Sequence, residues 1–515
     1  MVVLGILLCL LMGALDNFVV LTALPQILTD LRSPTGGQTF VVSAYLITST
    51  IAVPIFAKLS DIFDRKKVFL SGLFIFIGGS VLAGFSQSFG QLVLFRAVQG
   101  FGSGDFFPVG LAIVAVIFPP ETRARVTGLL SGVFGIATVG GPFLGSFIVD
   151  HTTWRWVFYV NIPVGLVGLG ILLALLGPIR PEKRGSFDAA GAGLLSGWVG
   201  SLMFALVEVS EGGWAWTDPR IIALLATAVV LFTVFAVWEI RSPDPLVPLR
   251  LLSRRIVAAC GTTTFIVGMV LFPLATFLTL FITYVTLGGT GNAPDTVRDV
   301  LYFLVIPLVF GAALGGNLLT RIPYRPPVVV GIGVAMVGMF LLTSVGVSTP
   351  IWKFAFGFLP VGGVVAPLIP LGFGVGLTFP VFFLAVQNQV PESEVGAATG
   401  LVQFLQSLGG SIGLTLLASF QQSRFQALQP STPAGGCLPG VLPSSACIQY
   451  FQGVQSALAQ SYNEVFWVML ALLGVGLVLA FFITGSLPKG KSPAGAASMP
   501  VAGPAPSGPT APESS

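Results

Sequence analysis

Long apolar runs separated by short polar ones dominate the chain. A bilayer-spanning helix needs about 20 mostly apolar residues. Roughly fourteen runs meet that need, at 3–25, 39–58, 68–86, 90–117, 125–149, 155–178, 189–209, 219–238, 256–284, 298–320, 327–347, 364–387, 397–420 and 463–486. The pattern predicts an all-α polytopic membrane protein. The run 351–370 is apolar but broken by Pro360, Pro367 and Pro370. It reads either as a longer entry into the twelfth span or as a re-entrant segment.

Composition sharpens the class. Hydrophobic residues make up 54% of the chain and charged residues 9%, against about 25% charge in soluble domains. So few charges cannot cover a soluble surface of this size. Cationic residues flank spans more often on the cytoplasmic side. Loops after even-numbered spans, with the C-terminal tail, carry 17 Lys and Arg, and the other side carries 6. Both termini are therefore expected in the cytoplasm of a cell-membrane protein. Met1 leads straight into an apolar run, so no cleavable signal peptide is expected. The net charge of +4 is spread without a basic block, which argues against nucleic acid. One histidine, His151, excludes a multi-histidine metal site, and no metal or cofactor motif stands out. Gly485 to Ser492 matches the phosphate-loop spacing. That loop works only between a strand and a helix, whereas here a span precedes it, so it reads as a basic membrane-flanking anchor and no ATP is expected. The Pro, Ala, Gly and Ser tail at 487–515 cannot bury a core and is expected to be disordered.

Charges inside apolar runs are costly and mark function by default. Asp16 lies deep in the first run, where burial disfavours the carboxylate form. It is a candidate proton carrier; the plain alternative is a hydrogen-bonded Asp that ties spans together. Arg96 sits in the fourth run and cannot lose its proton. It needs a carboxylate, carbonyls or water, and Asp16 and Asp105 are the candidates. Asp105 follows Gly100, Gly102 and Gly104, and on a regular helix would point away from Arg96. It reads as a second proton site or a cation-binding group, against a carboxyl packed on polar neighbours. Asp61, Arg65, Lys66, Arg123 and Arg125 lie at one cytoplasmic face, as a candidate ion-pair latch; ordinary positive-inside flanking is the alternative. Gly132, Gly135, Gly140, Gly141 and Gly145 allow close helix contact in the fifth run, with Pro142 bending it. Cys9 and Cys260 read as small buried hydrophobes. Cys437 and Cys447 lie in an external loop, where an oxidising exterior permits a disulfide.

In this order the residues resemble the major facilitator superfamily, and within it the fourteen-span drug:proton antiporter branch. Leu15-Asp16-Asn17-Phe18-Val19-Val20 through Ala23-Leu24-Pro25 is similar to that branch's first-span motif. Ala57 to Leu70 resembles the superfamily's loop between spans two and three, keeping Asp61, Arg65 and Lys66. Ala57 and Asp64 stand where glycines are usual, and Asp64 puts the tight turn in question. Arg96, Gln99 and Gly100 match the fourth-span motif. Gly141, Pro142 and Gly145 match the antiporter motif of the fifth span, with Ser146 in place of its last glycine. Trp154-Arg155-Trp156-Val157-Phe158 with Asn161-Ile162-Pro163-Val164-Gly165, and Gly396 to Gly413, are also typical of the branch.

The resemblance implies two six-helix lobes with two inserted helices. The expected division is 1–178, an inserted segment 179–254, and 255–486 with an external loop 421–463. It further implies a monomeric, proton-coupled exporter of small hydrophobic, cationic or amphipathic compounds, working by alternating access in the lipid bilayer. Export of one dedicated lipid, metabolite or antibiotic is the nearest alternative. A nutrient importer and a membrane-embedded enzyme are more distant ones.

Overall fold

The computed structural model describes residues 1–33, 37–180, 185–210, 214–286, 293–319, 321–347, 349–351, 353–355, 359–391, 394–431 and 445–485. Each predicted span finds its helix. The first three are α1 (Val2–Asp30), α2 (Gly37–Ile62) and α3 (Arg65–Phe85). The fourth is split into α4 (Phe89–Ser103) and α5 (Phe106–Ile117), and the fifth is α6 (Pro120–His151). The sixth comprises α7 (Trp156–Tyr159) and α8 (Asn161–Leu175). Then come α9 (Ala189–Ser210), α10 (Pro219–Arg241), α11 (Arg255–Leu280) with a π turn to Thr286, α12 (Ala293–Leu318), α13 (Arg325–Leu342), α14 (Leu368–Gln387), α15 (Val395–Leu428) and α16 (Ser445–Ala480). Among the described residues, thirteen helical stretches are long and apolar enough to cross a membrane. With α6 the count is fourteen.

Helices α1 to α8 pack among themselves, and so do α11 to α16; α9 and α10 pair with each other. The two lobes meet where α2 crosses α15 and α6 crosses α12. Small residues set both crossings. A side chain on Gly400 would run into Ala57, and one on Gly128 would meet the Ala312 carbonyl 2.7 Å away. Alanine at position 57, where a glycine is usual, is thus accommodated by a glycine on the facing helix.

Three boundaries differ from the hydropathy reading. Helix α2 continues to Ile62, because no breaker interrupts Lys58 to Ile62, so Asp61 lies on its last turn rather than in a loop. The connection between the last two spans is far shorter than 421–463. Helix α15 runs on to Leu428 and α16 starts at Ser445, with Gln421 donating to Ser461 at 2.9 Å and Arg424 ion-paired with Glu464. Such side-chain pairs let polar helical turns project beyond the apolar band. In the run 351–370, two short antiparallel strands, Lys353–Ala355 and Leu359–Gly362, precede α14, with Ala355 opposite Leu359. Gly363 just after them has a φ of 76°, a left-handed conformation that favours glycine. Residues 432–444 with Cys437, and 486–515 with the phosphate-loop look-alike and the tail, lie outside the described residues.

Candidate functional site

The buried charges of the N-terminal lobe converge on one cluster. Asp16 and Arg96 are each 1% exposed and ion-paired through Arg96 Nη1 and Asp16 Oδ2. Two amides complete the carboxylate's shell: Gln99 Nε2 and Asn161 Nδ2 each donate to Asp16 Oδ1 at 2.8 Å. Both amides also donate to Ser80 Oγ at 3.0 Å, and Ser80 in turn donates to the Phe158 carbonyl at 2.8 Å. Arg96 Nη1 donates to Gln99 Oε1 at 2.8 Å. Its guanidinium lies over the Tyr45 ring, 4.3 Å from the centroid. Burying two charges costs several kcal/mol per ion, and only a well-bonded arrangement offsets that cost. Here four helices, α1, α3, α4 and α8, supply the bonds.

Close backbone approach makes the cluster possible. A Cβ on Gly79 would fall 2.7 Å from the Gln99 backbone, so α3 can lie directly against α4 there. A Cβ on Gly100 would overlap the Tyr45 backbone, so α4 presses on α2 and brings Arg96, one turn away, over the Tyr45 ring. The glycines of α6 dock on the helix that carries Asp16. Side chains on Gly141 and Gly145 would strike Phe18 and Thr22 of α1. Of Pro142, the structure describes only its place within α6.

Asp105 is not part of this cluster. The chain turns at Gly104–Asp105 between α4 and α5, and Asp105 is fully buried against Gly72 of α3. Neither carboxylate oxygen has a hydrogen-bond partner. Spacing on a regular helix points Asp105 away from Arg96, and the fold pairs Arg96 with Asp16.

A second cluster ties the lobes together at the ends of α2 and α5. Asp61 accepts hydrogen bonds from the backbone N–H groups of Gly396 (3.1 Å) and Ala397 (2.6 Å), in the first turn of α15. A helix N-terminus has unpaired N–H groups and a partial positive charge, and a carboxylate satisfies both. Arg65 pairs with Asp61 at 3.3 Å and donates to the Ala112 carbonyl of α5 at 3.3 Å. Arg123 donates to Asn388 Oδ1, just past α14, at 3.1 Å. Phe107 adds an apolar contact across the lobes, with ring centroids 4.9 Å from Phe383. Lys66 and Arg125 stand apart from this cluster. Lys66 Nζ donates to the Leu173 carbonyl at 3.0 Å and the Leu176 carbonyl at 2.5 Å, at the end of α8. Arg125 is exposed. The turn before α3 needs no glycine: Asp64 has φ −57° and caps the helix by accepting from Lys66 N.

The relation to known proteins follows this geometry. Residues 6–414 match the Major Facilitator Superfamily. The chain belongs to that superfamily of membrane transporters. It is 32% identical to Multidrug resistance protein 3 of Bacillus subtilis (strain 168), over 82% of this chain and 80% of that protein. It is 30% identical to the Tetracenomycin C resistance and export protein of Streptomyces glaucescens, over 84% of this chain and 78% of that one. The fold matches that of the proton:xylose symporter XylE with a TM-score of 0.60 at 12% identity, covering 94% of this chain and 95% of that one. The chain is thus a major facilitator transporter with multidrug and antibiotic efflux relatives.

In this major facilitator chain, hydropathy does not single out Tyr45, which lies under Arg96, or Ser80, which anchors the two amides. Asn161 was visible only as part of a branch motif. One signal was available for both polar residues: each interrupts an apolar run at a position followed or preceded by small residues, Gly78-Gly79-Ser80 and Asn161 near Gly165. In the other lobe, Gln406 is buried and neither of its amide atoms has a partner. Cys447, on the first turn of α16, is disulfide-bonded, while Cys9 and Cys260 are free and buried.

Proposed function

We propose that this transporter exports hydrophobic, cationic or amphipathic compounds in exchange for protons. The observation that carries the reading is the Asp16–Arg96 pair and its amide shell. A carboxylate holding a buried arginine is a two-state device. When a proton reaches Asp16, the charge that anchors Arg96 is lost. Arg96 must then find other partners, and the helices that carry it shift. Protonation from outside would favour release of cargo outward, and deprotonation inward would reset the carrier. Gln406, buried with an unsatisfied amide, is the proposed hydrogen-bonding group for cargo, with phenylalanines supplying apolar contact. Asp105, buried without a partner, is proposed as a second proton site.

The remaining assignments belong to the same reading. Residues 1–178 and 255–486 form the moving lobes, as a monomer, with 179–254 inserted between them. The Asp61 end is cytoplasmic, so the latch closes the cytoplasmic side in this conformation. Cys437 is the proposed disulfide partner of Cys447. The multidrug and tetracenomycin C resistance proteins among the relatives support export, and the second of them favours the alternative of one dedicated antibiotic cargo.

The test is ethidium uptake into energised inverted vesicles. Uptake is expected to collapse with a protonophore and with Asp16→Asn. No ethidium movement by well-inserted protein would refute the multidrug reading and direct the search to a dedicated cargo. Uptake that survives Asp16→Asn unchanged would remove Asp16 from coupling.

A further inference from the structure

Neither the Asp16 cluster nor the latch uses the cavity at the mouth of the α6–α12 crossing. It has a volume of about 260 Å³ and is lined by Arg125, Leu314, Asn317, Leu318 and Arg321. Arg125 comes from the second turn of α6, in one lobe. Arg321 follows α12, in the other. Both are exposed, and among the described residues neither side chain has an ion-pair or hydrogen-bond partner. Two like charges facing one cavity repel each other across the lobe contact. Directly beneath, the lobes are in close contact: a Cβ on Gly128 would lie 2.7 Å from the Ala312 carbonyl.

The surroundings point to the missing counter-charge. One turn and more into the membrane from the two arginines, Leu129, Leu314 and Phe310 are 52%, 43% and 68% exposed. Leu314 also lines the cavity, so the cavity adjoins exposed apolar surface on α12, and Leu129 lies one turn beyond Arg125 on α6. Guanidinium groups match phosphate oxygens in pairs, and basic pockets between spans at the cytoplasmic side suit anionic headgroups. We propose that this cavity binds the phosphodiester headgroup of an anionic phospholipid, with an acyl chain lying along Leu129, Leu314 and Phe310. The bound headgroup bridges Arg125 and Arg321 and holds the lobes together at the Asp61 face. Free phosphate shares the headgroup chemistry but makes no use of that apolar surface. The proposal rests on the cytoplasmic orientation given above only for the leaflet involved.

The experiment uses the full-length protein in neutral detergent, titrated with phosphatidylglycerol and followed by native mass spectrometry. The expected result is one retained phosphatidylglycerol that the double variant Arg125→Gln/Arg321→Gln binds about tenfold more weakly. A control with the same charge loss elsewhere, Arg241→Gln/Arg250→Gln, is expected to bind as the parent does. Phosphatidylcholine is expected not to be retained, and inorganic phosphate not to displace the lipid at equal concentration. Equal binding by the cavity variant, equal loss in the control, or displacement by equimolar phosphate each overturns the proposal. Should the double variant fail to fold, Leu314→Trp fills the cavity without touching either charge and must weaken binding likewise. A second readout is alkylation of Phe383→Cys, at the lobe contact with Phe107, in nanodiscs. Phosphatidylglycerol is expected to slow it several-fold in the parent and not in the cavity variant. Neither readout involves transport, so a failed ethidium assay leaves this inference standing, and a failed lipid titration leaves the export reading standing.

Discussion

At the residue scale, Asp16 is defined by the number of donors aimed at it. Three side chains from two helices reach its two oxygens. Removing one donor to a buried carboxylate costs about 1.5–3 kcal/mol. Asn161→Ala is therefore expected to lower thermal stability and to slow proton-driven efflux several-fold while leaving the protein inserted. Thermal unfolding in detergent with vesicle transport measures both. Asp16→Asn leaves Arg96 buried without its counter-charge, a loss of about 3–5 kcal/mol. Coupled efflux should fall at least tenfold, and the double substitution Asp16→Asn/Arg96→Gln should recover stability without recovering transport. Recovery of both would mean that the pair only holds helices together. Arg96→Lys keeps the charge but not the planar fork; full retention of coupling by that variant would count against a tuned role for the guanidinium. Asp16 and Arg96 are each legible as costly charges in apolar runs. Their pairing is not, because 80 residues separate them in sequence.

Elements carry the next level. Helix α6 uses its glycines on two partners. Gly128 and Gly132 face α12 of the other lobe, while Gly141 and Gly145 face α1 beside Asp16. One helix thus touches both the lobe boundary and the helix that holds the buried carboxyl. Gly145→Leu would drive a side chain into Thr22 and the Val19 carbonyl, which cannot yield without moving α1. The expected outcome is lost efflux or proton leak with expression retained, read from pH decay in vesicles. Normal transport with a tight membrane would leave these glycines a packing role only. The disulfide belongs to this scale too. Cys437→Ser is expected to free Cys447 for thiol labelling; if Cys447 stays unreactive without reductant, the proposed partner is wrong.

For the whole molecule, the described polar and aromatic contacts across the lobes lie toward one end, at Asp61, Phe107 and Arg123. On the proposed alternating-access reading, such a distribution corresponds to a carrier closed at that end. The equilibrium should respond to those contacts. Asp61→Asn keeps the shape of the side chain but removes the charge that caps α15, and a charge-assisted bond is worth about 1.5–3 kcal/mol. Alkylation of Phe383→Cys from the Asp61 face is expected to rise roughly tenfold when it is combined with that variant. An unchanged rate with unchanged transport would reduce Asp61 to a flanking charge. The lipid cavity at Arg125 and Arg321 acts on the same equilibrium from the rim of the bundle.

Hydropathy by itself determined the class of this protein, its fourteen spans and the few charges worth asking about. That is because a bilayer judges each segment independently, by length and polarity. Tertiary structure alone decided which of those charges meet. Arg96 turns to Asp16 and not Asp105, Asp61 finds the start of a helix 335 residues away, and Arg125 leaves the latch for a cavity of its own. These outcomes depend on how each helix is rotated and how closely it crosses its neighbour. Rotation and crossing are set by small residues on two helices at once, and no single segment contains that information.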